Sequence, residues 1–152
     1  LGYRRNLKFI LLRIPKAKEE ENNEYKLGWN LQRTLTKINY KIHTDAIKDN
    51  LVPPQISKSQ ISFIYASEAD ILNVSLFGKT AKEWRDQNPD LEGNIRDHAT
   101  IEQLIVMSNL ESINSMLINQ KLNQKDRLHS LNDLAINQIK SLINNKNIKK
   151  LH

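Results

Sequence analysis

Four helix starts are marked by a Ser or Thr three residues ahead of an acid or an amide, with apolar residues at helical spacing beyond it: Ser57 with Gln60, Ser67 with Asp70, Thr80 with Glu83, and Thr100 with Gln103. A hydroxyl at the N-cap accepts the N–H of the third helical residue, and that residue's side chain returns to the N–H of the cap, so the pattern marks helix starts. The stops are as clear. Gly78 can take the left-handed conformation that closes a helix, while Pro53-Pro54 and Asn88-Pro89 interrupt one, because proline has no N–H and restricts the residue before it.

Between these marks the apolar residues keep helical time. From about Glu24 to Asn50, Leu27, Leu31, Leu35, Ile38 and Ile42 recur at steps of four, four, three and four, one stripe along a helix. Arg33, Lys37 and Lys41 lie four apart on another face, with Lys48 seven further on. Ile61 to Tyr65 suits a helix opened by Ser57 and equally a short alternating strand. Ser67 is expected to start a helix through Ile71, Leu72, Val74, Leu76 and Phe77 that ends at Gly78. Thr80 opens a short helix carrying Trp84, and Asp90 to Asn94 is a turn in which Gly93 is free to adopt positive φ. Thr100 opens a helix of roughly 20 residues, about 30 Å long. After a polar break at Gln120 to Gln124 comes a last helix, in which Leu128, Leu131, Ala135, Ile139 and Leu142 step at three and four. The expected fold is all-α with five to six helices. A long antiparallel hairpin near 99–145 is its scaffold, with the Trp84 helix and its loop packed across it. Residues 1–18 form a basic N-terminal segment, 19–145 a single helical domain, and 146–152 a frayed tail.

The 152 residues are one domain's worth, and 39% hydrophobic with 26% charged residues is a globular composition. The absence of cysteine excludes disulfides, thiolate metal sites and cysteine nucleophiles. No apolar run approaches the roughly 20 residues that span a bilayer, and no signal-peptide pattern is present, so the chain reads as soluble and cytoplasmic. The net charge of +6 would favour nucleic acid, but six of the 23 Lys and Arg residues lie in the first 18, where there is no acid. The remaining 17 basic residues are matched by 17 acidic ones, and the body is neutral.

Catalytic signatures are missing. There is no glycine-rich phosphate loop, no H-E-x-x-H and no G-x-S-x-G, and the four histidines at 43, 98, 129 and 152 are not spaced for a shared metal. His43 and Asp45 are two residues apart and do not face each other on a helix, so His43 reads as a residue that packs or makes one hydrogen bond. The acids Glu68, Asp70, Glu83 and Asp86 lie near helix starts, where free N–H groups favour them. Trp84 reads as the residue that buries its short helix on the core.

Leu35 to Asp45 (LTKINYKIHTD), Tyr65 to Arg85 (YASEADILNVSLFGKTAKEWR) and Gly93 to Ile113 (GNIRDHATIEQLIVMSNLESI) resemble the region that follows the KilA-N domain in bacterial and phage KilA-N domain-containing proteins. The resemblance runs from about Glu19 to Leu142, with Lys37, Asn39, Tyr40, His43, Asp45, Trp84, Asn94, Arg96 and Asp97 as its signature. Family members often carry Tyr at the position of His98. The resemblance implies that the presumed DNA-binding module lies upstream and that this region has no catalytic residues. It also makes Leu1 to about Lys18 a frame-shifted remnant of that module's end, a reading the coding DNA decides. The function expected is a non-catalytic accessory or protein-interaction domain of a KilA-N type, phage-related DNA-binding regulator. A protein partner or self-association is expected, with no cofactor, metal, membrane or small-molecule substrate. The alternative is direct nucleic-acid binding through Arg33, Lys37, Lys41, Arg85 and Arg96.

Overall fold

The computed structural model describes residues 4, 6–9 and 23–144, and the rest of the basic N-terminal segment and the tail after 144 lie outside the described residues. The fold is all-α. Five helices follow in order: α1 (Asn23–Leu51), α2 (Lys58–Phe77), α3 (Ala81–Gln87), α4 (Ile101–Asn119) and α5 (Gln124–Ile143), with a 3-10 turn at Ile95–His98 before α4. Among the described residues there is no strand.

Three of the four capping signatures are used. Ser57, Thr80 and Thr100 each accept the N–H of the residue three on, and Gln60, Glu83 and Gln103 return the bond to the cap N–H. Ser67 is the exception. It lies inside α2, which absorbs Ile61 to Tyr65 as helix and runs unbroken from the Ser57 cap to Gly78. The reason is continuity of the buried face: Glu68, Ile71, Leu72 and Ser75 lie at helical spacing, so a break at Ser67 would misdirect them. The Ser67 hydroxyl instead accepts from Gln124 Nε2 at 2.9 Å. Gly78 closes α2 at φ 78°, and Gly93 sits in the loop between α3 and the 3-10 turn at φ 80°.

α4 is the central helix. Ile101, Leu104, Val106, Met107, Leu110 and Ile118 are all buried, and they point to more than one side, so neighbours surround the helix. Its most extensive partner is α1 rather than α5. The two run parallel, as the rungs between them show: Asn39 Nδ2 donates to the Ser108 carbonyl at 2.9 Å, His43 Nε2 meets Asn114 Nδ2 at 2.8 Å, and Asn50 Nδ2 donates to Asn119 Oδ1 at 2.7 Å. Parallel neighbours need a long connection, and α2, α3 and the 3-10 turn supply it. α5 returns antiparallel to α4 after the turn at Lys121, with Arg127 bonded to Asn114 near the turn and Asn109 bonded to Gln138 further from it. α5 also packs on α2, and Ile71, Leu72, Val106, Met107, Leu110, Leu128 and Leu131 close the core between these three helices.

The N-terminal segment touches this body. Arg4 grips Glu83 with both Nη atoms, at 3.0 and 2.6 Å, and the Lys8 backbone pairs in both directions with the Asn132 side-chain amide.

Candidate interaction site

α1 carries three faces. The inner one holds Tyr25, Thr36, His43, Ala46 and Ile47, all buried, with the Trp29 indole donating to the Ala99 carbonyl at 3.0 Å. At 100° per residue, Leu27, Leu31, Leu35, Ile38 and Ile42 fall within an arc of about 80° on a different side. They do not face the core. Their exposures are 64, 58, 45, 54 and 47% in that order. An apolar stripe on a helix ordinarily marks its buried face, but here the buried face is built of mixed residues whose polar groups bond to α4, and the aliphatic stripe is left outside.

The third face borders a cleft of about 370 Å³ between α1, α2 and the 3-10 turn, with Arg33, Lys37, Tyr40, Asn73, Asn94 and Arg96 on its walls. This cleft gathers three of the five cations picked out as a nucleic-acid surface. Two of them are held by acids: Arg33 Nε donates to Asp97 Oδ1 at 3.0 Å, and Arg96 Nη1 lies 3.2 Å from Glu111 Oε1 while its guanidinium sits over the Tyr40 ring. Lys41 is elsewhere, bound to Asp45 at 2.5 Å. Arg85 lies over the Trp84 ring and donates to the carbonyls of Asn88, Leu91 and Gly93, so it clamps the 88–93 loop. Arg33, Lys37 and Arg96 thus share the cleft, and Lys41 and Arg85 are not on its walls.

Most of the signature residues hold the fold together. Asn94 caps the 3-10 turn, accepting from the N–H groups of Arg96 and Asp97, and the Asp97 carboxylate accepts the Asn94 N–H at 2.9 Å. Burial pushes the Asp97 carboxyl up, but the Asn94 N–H and Arg33 together bring it below its ordinary value. Trp84 is buried with its ring 5.3 Å from His98. His43 is buried and makes its one bond to Asn114; burial, with Arg96 and Arg127 nearby, lowers it from 6.5 to about 4.

Several buried polar groups escaped sequence reasoning, the acids Glu68 and Glu111 among them. Glu68 is not a capping acid: it forms a buried ion pair with Arg127, whose Nη1 also reaches Asn114 Oδ1 at 3.1 Å. With His43 on Asn114 and Gln124 on Glu68, this chain of contacts ties α1, α2, α4 and α5. Glu111 is fully buried, and burial, only partly opposed by Arg96, raises it from 4.5 to about 7. The available signal was spacing, since Leu104, Met107, Glu111, Asn114 and Ile118 continue one face of α4.

No family model, curated protein or solved structure matches the chain. Among the described residues, no helix is long and apolar enough to cross a membrane.

Proposed function

We propose that this chain is the non-catalytic, protein-interaction part of a KilA-N type, phage-related DNA-binding regulator, and that the outer face of α1 is where it engages protein. One observation carries the reading. Five large aliphatic side chains, each close to or above half exposed, form an uninterrupted strip about 22 Å long on one helix. Single exposed aliphatics are ordinary on a protein surface, but a contiguous strip marks an interface. The signature residues fit the same reading, because Asn94, Arg96 and Asp97 are occupied in capping and pairing rather than converging on a substrate. The resemblance to the region behind a KilA-N domain supplies the regulatory setting.

The double variant Leu31→Glu, Ile38→Glu tests it. Both side chains are more than half exposed, so the melting temperature should hold while binding of the apolar dye ANS to the strip is lost. A destabilisation of several kcal/mol would mean that these side chains hold the fold, and the reading would fall.

A further inference from the structure

We propose that the cleft between α1, α2 and the 3-10 turn binds a small phosphate monoester, held as a ligand and not converted. The inference is independent of the outer face of α1, which lies on another side of that helix. At about 370 Å³ the cleft has the size that encloses a small organic molecule rather than a bare ion. Its polar lining is of one kind, because Arg33, Lys37, Asn73 and Arg96 all offer N–H donors. Several of these donors are unused. Lys37 makes no hydrogen bond or ion pair among the described residues. Asn73 is only 6% exposed, yet its side-chain amide has no hydrogen-bond partner among the described residues; Oδ1 is sealed from solvent, so the nitrogen is the end left for the cleft. Arg96 Nη1 stands 3.2 Å from Glu111 Oε1 without hydrogen-bond geometry, and both Glu111 oxygens lack a hydrogen-bond partner. Buried polar groups in a folded protein are ordinarily satisfied, so donors left over around one cavity mark a place for an acceptor.

Charge sets the class of anion. Asp97 neutralises Arg33 at 3.0 Å, whereas Glu111, raised by burial to about 7, is about half uncharged at neutral pH and leaves Arg96 partly uncompensated. Arg33, Lys37 and Arg96, less Asp97 and half of Glu111, leave the cleft with roughly +1.5. That matches the charge of about −1.5 to −2 on a phosphate monoester better than the single charge of a carboxylate or a phosphodiester. The donors suit it as well: two planar guanidinium forks in the walls and an ammonium on the exposed rim are the groups that grip phosphoryl oxygens. Tyr40, Ala69 and Ile95 give the cleft an apolar side for the organic part of the ester.

Titration calorimetry of the whole chain at pH 7 and about 0.1 M salt tests the site with phenyl phosphate, and with benzoate as a singly charged ring of similar size. Phenyl phosphate should bind one to one with a Kd on the order of 0.1–1 mM, and benzoate at least about tenfold more weakly. Lys37→Glu should weaken phenyl phosphate about tenfold or more with the helical circular dichroism unchanged, since Lys37 is exposed. Lys48→Glu makes the same change of charge on the same helix about 16 Å away, beyond the screening length of about 10 Å, and should leave binding within about twofold. No saturation by about 10 mM phenyl phosphate, tenfold above the expected Kd, would overturn the site. Equal weakening by Lys37→Glu and Lys48→Glu would overturn it too, because the attraction would then belong to the whole surface. Benzoate binding as tightly as phenyl phosphate would overturn the monoester. So would displacement of phenyl phosphate by duplex DNA without terminal phosphates at a lower total phosphate concentration, which would make the cleft a reader of nucleic-acid backbones.

Discussion

Replacing Glu111 with Gln should expose a pH dependence that the wild-type protein conceals. Two buried groups act in opposite senses. His43 is lowered to about 4, so the unfolded chain takes up its proton first and stability is lost as pH falls from 6.5 toward 4. Glu111 is raised to about 7, so the folded protein holds that proton first, and the stabilisation is full below 4.5 and lost as pH rises toward 7. Between pH 8 and 4.5 the His43 contribution amounts to a loss of about 2.5 kcal/mol and the Glu111 contribution to a gain of about 3 kcal/mol, so the two nearly cancel. Glu111→Gln removes only the second. Arg96 loses a charged partner only above about pH 7; below that Gln stands in for the neutral acid, and the two proteins should be about equally stable. Urea unfolding at half-unit pH steps reads the result: a wild-type midpoint that is almost level, and a variant midpoint that falls by about 1–2 M between pH 8 and 4.5. If the variant follows the wild-type profile, Glu111 does not hold its proton near neutrality and the burial argument for it is wrong.

Three further outcomes are expected. Removing one member of the buried Glu68–Arg127 pair, as in Glu68→Gln or Arg127→Met, should cost about 3–5 kcal/mol in urea unfolding, while Glu68→Leu with Arg127→Met should recover much of it; single costs under about 1 kcal/mol would contradict the pairing. Gly93→Ala should lower the melting temperature more than Gly78→Ala, because both carry positive φ but only at Gly93 would the new Cβ come within 2.6 Å of Asp97 Oδ2. Any binding to duplex DNA should weaken with salt with a log–log slope no steeper than about −3, since only Arg33, Lys37 and Arg96 share a cleft; a slope near −5 would restore the five-cation surface.

The parts of this fold that were legible in the sequence are those decided by local chemistry. Caps at Ser57, Thr80 and Thr100 and the stop at Gly78 depend on a few residues that satisfy one another's backbone groups, and no distant contact is needed to place them. Ser67 with Asp70 has the same local chemistry and fails, because the helix already running through it buries Glu68 against Arg127, 59 residues away. The candidate site was legible only in outline. Periodicity located the Leu27–Ile42 strip and made it helical, but the same spacing is compatible with a strip turned inward or outward. The face that turned inward is the one whose Asn39, His43 and Asn50 find partners on α4. Turning the helix to bury the aliphatics would take Tyr25 and His43 away from the buried Ile101 N–H and Asn114 amide, and an unpaired buried polar group costs about 1–3 kcal/mol each. Against that, half-exposing five aliphatics forfeits about 1 kcal/mol apiece, a loss that a protein docked on the strip would return in large part. The polar rungs to α4 thus set the rotation of α1, and that rotation puts its most apolar face where another chain can reach it.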